Sequence, residues 1–142
     1  MSRVVAAARG WIGTPYLHQA SLRGAGTDCL GLVRGIWREI EGPEPDPVPP
    51  YTRDWAEPSG EEVLRDAATR RLRPADAALA PGQVLLFRMR AGAVAKHLGI
   101  LSQAGRAPAF IHAYDGLGVV ESPLTDPWAR RIVARFTFPS EA

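Results

Sequence analysis

The chain has 142 residues, 46% of them apolar and 23% charged, with a formal net charge of +2, which fits an ordinary globular domain with one core. No apolar run reaches the ~18–20 residues that span a bilayer, so no membrane insertion is expected. The basic residues, apart from a small cluster at Arg70, Arg71 and Arg73, are too dispersed for a nucleic-acid groove, and the single cysteine, Cys29, excludes an internal disulfide or a multi-cysteine zinc site.

Residues 3–12 place Val4, Ala7, Ala8, Trp11 and Ile12 on one face of a first helix. Gly13-Thr14-Pro15 ends it, because proline disfavours helical backbone in the residue before it. A polar loop with Gly24 and Gly26 leads to Asp28, a suitable N-cap for a second helix from Cys29 to Glu41. Leu30, Val33, Trp37 and Ile40 mark its buried face. Residues 43–58 are rich in proline and cannot hold regular structure for long; they form an internal loop of the same domain. Ser59 and Glu62 have the spacing of a capping box that opens a short helix through about Leu72.

After Pro81-Gly82 the pattern turns to strand. Segments 83–89, 97–102, 109–114, 118–122 and 131–138 are short, rich in β-branched and aromatic residues, and separated by Gly, Pro or Asp. Helices first and strands after predict an α+β domain over residues 1–142, with N-terminal helices packed on a small antiparallel sheet of about five strands. Met1 to Val5 do not open a long apolar stretch, so synthesis in the cytoplasm without a secretory signal is expected.

Cys29 stands in the first turn of the second helix, where free N–H groups and the helix dipole favour a thiolate. Gly31 lets a backbone or a substrate approach closely. A lone cysteine is otherwise a small core residue. Among the histidines, His97 begins a strand with Gly99 and Leu101 on its face; it is either a base for Cys29 or a polar residue at a strand edge. His112, flanked by Phe110, Ile111 and Ala113, is expected to be partly buried and to need a hydrogen-bond partner. It either orients His97, completing a nucleophile–base–orienter chain, or bonds to backbone. His18 sits in the loop before the cysteine. Cys29 and the histidines lack a close ligand spacing such as His-x3-His, so neither a metal nor a cofactor is expected.

Five motifs, in this order, resemble those of the NlpC/P60 cell-wall cysteine peptidases. They are Trp11-Ile12-Gly13-Thr14-Pro15-Tyr16, Asp28-Cys29-Leu30-Gly31-Leu32-Val33, Pro81-Gly82-Gln83-Val84-Leu85-Leu86-Phe87, His97-Leu98-Gly99-Ile100 and Phe110-Ile111-His112-Ala113. The resemblance implies a papain-like fold with Cys29 as nucleophile, His97 as base, His112 as orienting residue and a Tyr16 hydroxyl at the oxyanion pocket. It implies a peptidoglycan stem peptide as substrate, cleaved between D-glutamate and diaminopimelate. Asp28, His18 and Trp55 are expected to line the substrate site. Leu30, His18, Gln19 and Gln83 depart from the usual motif residues, and the proline-rich insert with Tyr51, Asp54 and Trp55 is an addition. These features are similar to the branch found in tailed phages and gene transfer agents, which implies tail or baseplate partners and a particle-associated enzyme acting on the periplasmic wall. Two alternatives stay open: an amidase or acyltransferase on the same scaffold, and a catalytically silent tail component.

Overall fold

Ser2 starts the first helix, α1 (Arg3–Arg9), by accepting the Val5 amide on its hydroxyl at 3.2 Å. The helix stops at Arg9 rather than at residue 12, and the chain turns through Gly13 at a left-handed φ of +93°, a conformation glycine adopts without strain. Val4, Ala8 and Trp11 are buried as expected, but Ile12 lies beyond the helix end and is 44% exposed. The computed structural model describes residues 2–53, 55 and 57–142; Asp54, noted in the proline-rich insert, lies outside them.

Two short strands, β1 (Ser21–Leu22) and β2 (Gly26–Thr27), pair antiparallel before the second helix, α2 (Cys29–Ile40). Asp28 caps α2 as expected, accepting the Gly31 amide on Oδ1 at 2.7 Å. The buried face is centred on Leu32, Val33 and Ile36, while Leu30, Trp37 and Ile40 are only partly buried. The shift follows from two glycines that an apolar pattern does not count. A Cβ on Gly35 would lie 2.0 Å from the Trp11 ring, and one on Gly31 would lie 1.9 Å from the Ala20 carbonyl oxygen. Both glycines therefore lie against protein, not solvent, and what approaches Gly31 is backbone.

The proline-rich segment is tied to α2 where Arg34 and Arg38 bond Glu44, at 2.7 and 3.0 Å. Ser59 closes a short 3-10 turn (Glu57–Ser59) instead of capping the next helix, α3 (Val63–Arg71). Glu62 occupies that cap position without a side-chain cap bond; its carboxylate accepts the Ala95 amide at 3.0 Å and so fastens α3 to the sheet.

The main sheet has six strands, not about five: β3 (Arg73–Pro74), β4 (Val84–Arg88), β5 (Ala95–Gln103), β6 (Ala109–Tyr114), β7 (Gly118–Pro123) and β8 (Ile132–Thr137). Their order is β3-β8-β4-β5-β6-β7, antiparallel throughout. The strand missing from the sequence expectation is β3, two residues long and ending in a proline, a residue tolerated only at a sheet edge. A short helix, α4 (Asp126–Ala129), links β7 to β8. One side of the sheet joins the helices in the main core through Leu86, Leu98, Ile100 and Ile111. The other side builds a second cluster from Leu85, Phe87, Leu101, Phe110 and Leu124.

Candidate active site

The N-terminus of α2 meets the sheet where β5 and β6 part. Their ladder is registered from Ile100↔Ile111 to Gln103↔Ala109 and not below Ile100. There the Cys29 thiol donates to the Lys96 carbonyl at 3.9 Å, and the Leu98 amide is turned toward the sulfur. His97 is the third residue of β5 rather than its first, so the strand holds it from both sides. Cys29 and His97 are 6% and 7% exposed, and both line one cleft with Tyr16, His18, Asp28 and Trp55.

Behind His97 runs a chain of polar groups. His97 Nε2 and His112 Nδ1 are 2.8 Å apart, and His112 Nε2 lies 3.0 Å from the Ser122 hydroxyl. His97 Nδ1 has no hydrogen-bond partner among the described residues. The rings are held by an aromatic cage: Phe87, Tyr114 and Trp128 lie within 5.8 Å of the His97 centroid, and Phe110 lies 4.2 Å from that of His112. Phe87 is the cross-strand partner of His97, so the sheet register itself sets part of this cage. Ser122 carries no mark in the sequence; it joins the site only because β7 pairs with β6.

The electrostatics correct one expectation. Burial, reinforced by the Asp28 carboxylate, pushes the Cys29 thiol up to about 12, although the amides of Leu98, Leu30 and Cys29 oppose the rise. At the first turn of α2 desolvation therefore outweighs the helix dipole, and the resting group is a thiol, not a thiolate. Burial, with His112 adding to it, lowers His97 to about 3, and burial lowers His112 to about 4. Cys29, His97 and His112 are therefore all uncharged at neutral pH. Burial also raises the Tyr16 hydroxyl to about 12, with Cys29, Asp28 and Asp115 adding and Arg53 opposing; it keeps its proton and remains a donor.

Asp28 lines the cleft, but its carboxylate is engaged by the protein. Besides the Gly31 amide it accepts the Gln19 amide at 2.7 Å and the Tyr51 hydroxyl, and His18 Nδ1 lies 3.8 Å away. His18 Nε2 and the Gln19 side chain both reach the Tyr51 carbonyl oxygen, at 3.0 and 2.6 Å. Tyr51 stacks on Trp55 at 4.2 Å, and Trp55 is held at a φ of +52°, an uncommon state for a bulky residue. Arg53 then crosses the mouth of the cleft to Asp115 at 3.1 Å, passing 5.9 Å from the Tyr16 ring centroid. The proline-rich segment thus forms one wall of the cleft. Tyr51 was visible in the sequence as part of an insert, but not as the group that anchors it.

No protein-family model matches the chain, and no curated protein matches it in sequence. Among solved structures it is similar to the NlpC/P60 domain of the peptidoglycan hydrolase SagA, with 20% identity, a TM-score of 0.61, and 95% of this chain and 96% of that one covered. It is also similar to a lipoprotein-like NLP/P60 family protein of Staphylococcus aureus, with 17% identity, a TM-score of 0.59 and 94% of this chain covered. An NlpC/P60 family protein of Bacillus cereus matches with 18% identity, a TM-score of 0.61 and 93% of this chain covered. The chain spans 39% and 38% of the length of the latter two. At these identities the likeness is one of fold: helices packed on an antiparallel sheet in the NlpC/P60 arrangement.

Proposed function

We propose that the protein is a cysteine peptidase of the bacterial cell wall, cleaving peptidoglycan stem peptides by thiol acyl transfer. The observation that carries this is the His97–His112 contact, which occupies Nε2 of His97, at a cleft that His97 lines together with Cys29. When His97 Nε2–H donates to His112, and His112 Nε2–H donates to Ser122, His97 Nδ1 presents a lone pair. The opposite direction of the chain would put a proton on Nδ1 and leave no base.

With substrate bound, the Cys29 thiol turns from the Lys96 carbonyl toward His97. Because the thiol is held up and the imidazole down, proton transfer to Nδ1 accompanies attack of the sulfur on the amide carbon instead of preceding it. The Cys29 amide and the Tyr16 hydroxyl stabilise the oxyanion, each worth ~3–4 kcal/mol by analogy with other oxyanion donors. The C–N bond then breaks as Nδ1–H protonates the leaving amine, and water releases the thioester as a carboxylate. Asp28 positions the loop and the first turn of α2; His18 and Trp55 border the bound peptide. No step calls for a metal or cofactor.

The D-glutamyl–diaminopimelate bond is the proposed cleavage point, and delivery as part of a phage-like tail is the proposed route to the periplasmic wall. The second proposal rests on the motif departures at Leu30, His18, Gln19 and Gln83 and on the insert that walls the cleft. Hydrolysis of purified peptidoglycan by wild type and Cys29→Ala, under reducing conditions and read by mass spectrometry, tests the function. Cut stem peptides from wild type alone are expected. Release of whole stems from the sugar would make the enzyme an amidase, and no turnover by folded wild type would leave a silent tail component.

A further inference from the structure

Two charged side chains meet across the mouth of the cleft from segments far apart in the chain. Arg53 stands in the proline-rich segment, and Asp115 stands in the turn that joins β6 to β7; both line the cleft with Cys29 and Tyr16. The Arg53 guanidinium lies 3.1 Å from the Asp115 carboxylate. Their side chains are 62% and 70% exposed, and an ion pair so open to water adds little to stability and exchanges partners readily. The pair is also close to the reacting groups. Arg53 passes 5.9 Å from the Tyr16 ring centroid, and both charges are among those that act on the Tyr16 hydroxyl, which burial holds protonated.

Both charges stand on backbone tied to the catalytic groups. Tyr114, just before Asp115, packs against the His97 ring at 5.8 Å, and the Leu117 amide closes the turn on the Tyr114 carbonyl at 2.9 Å. The β7 side of this hairpin is fastened to the loop before Tyr16. There the Val119 amide donates to the Thr14 carbonyl at 2.9 Å, and the Gly13 amide to the Val119 carbonyl at 3.0 Å. Arg53 is placed by its neighbours in the insert: Tyr51 donates to Asp28, and Trp55 stacks on Tyr51. The rim therefore presents a cation and an anion side by side. A ligand with a carboxylate alone gains Arg53 but is repelled by Asp115, and one with an ammonium alone meets the reverse. A ligand end carrying both charges satisfies both residues at once, its carboxylate on the guanidinium fork and its ammonium on Asp115.

We infer that Arg53 and Asp115 form a specificity subsite for a substrate end that bears an ammonium and a carboxylate on one carbon. This rests on the wall-peptidase function proposed above and names the feature of the stem peptide that is selected. Diaminopimelate carries such a zwitterion at the far end of its side chain, on a short methylene arm that leads from the scissile bond to the rim. Lysine in the same place has the ammonium without the carboxylate. The subsite selects diaminopimelate stems over lysine stems. Binding opens the Arg53–Asp115 contact and replaces it with two, so that neither charge is left unpaired.

The test uses the full chain carrying Cys29→Ala, which binds without turning over, and three fluorescent alanyl-γ-D-glutamyl peptides that differ in their last residue. That residue is meso-diaminopimelate, lysine, which lacks the distal carboxylate, or aminopimelate, which lacks the distal ammonium. In anisotropy titrations the diaminopimelate peptide is expected to bind about tenfold more tightly than either of the others. Adding Arg53→Gln abolishes the advantage over lysine, and adding Asp115→Asn abolishes the advantage over aminopimelate. Both positions are exposed, so the melting temperature stays unchanged in each variant. Equal binding of the three peptides, or a preference that survives both substitutions, would overturn the subsite and leave the peptidase standing. Failure of all three to bind the folded protein would remove the stem-peptide substrate and the subsite with it. Discrimination among the peptides without hydrolysis by wild type would sink the peptidase alone.

Discussion

At rest the sulfur of Cys29 and the ring of His97 are both neutral, since each is buried and the Asp28 carboxylate further disfavours a thiolate. Catalysis then depends on which nitrogen of His97 carries the proton, and that is decided two residues away. Ser122 holds His112 Nε2 at 3.0 Å, and His112 holds His97 Nε2 at 2.8 Å. If the hydroxyl serves to keep the chain in the productive direction, Ser122→Ala lowers kcat about 10-fold with KM little changed, an effect typical of lost outer-shell hydrogen bonds. Ser122→Thr, which keeps the hydroxyl, should restore most of it. Steady-state kinetics on a soluble muropeptide decide the matter: an unchanged kcat in Ser122→Ala would reduce the serine to filler.

The helix that carries Cys29 is positioned by what it lacks. Gly31 and Gly35 let the Ala20 carbonyl and the Trp11 ring lie directly on the α2 backbone, at distances no Cβ could share. Through Gly31 the loop of Gln19 and Ala20 is pressed against the first turn, where Asp28 joins both by its two oxygens. Gly31→Ala is therefore expected to cost at least about 2–3 kcal/mol of stability by overpacking against backbone that cannot yield. Urea denaturation reads this as a lower midpoint with an unchanged slope; a midpoint equal to wild type would show that the loop can move aside. The apolar spacing revealed that α2 exists and where it starts, because a capping aspartate and a helical period are local signals. Its buried face was misplaced toward Leu30 and Trp37, since hydrophobic spacing gives no weight to a glycine that packs. The Ser59 capping box failed for a related reason: a cap motif competes with tertiary partners, and Glu62 is held by the Ala95 amide.

For the whole molecule, burying three titratable groups uncharged makes stability depend on pH at both ends. The unfolded chain protonates His97 and His112 near the ordinary 6.5, whereas the folded chain does so only near 3 and 4. Between those values the unfolded state binds more protons, so stability is full above pH 6.5 and is lost as pH falls toward 4. Cys29 acts in the opposite sense: its contribution is full below pH 9, the ordinary value being 9.0, and is lost as pH rises toward about 12. A melting-temperature plateau from about pH 6.5 to 9 is expected, with the acid limb flattened in His97→Gln/His112→Gln. A wild-type melting temperature that stays level down to pH 4.5 would mean that the rings are hydrated in solution. The amino-acid sequence by itself determined the order of the first three helices and the five longer strands, the cap of α2 and the presence of Cys29, His97 and His112 in motif spacing, because these depend on neighbours in the chain. Only the tertiary structure decided the sixth strand, the Ser122 link, the docking of Tyr51 onto Asp28 and the neutral state of the thiol. Each of those depends on strand pairing or burial between segments far apart in the chain, and desolvation has no local signature in sequence.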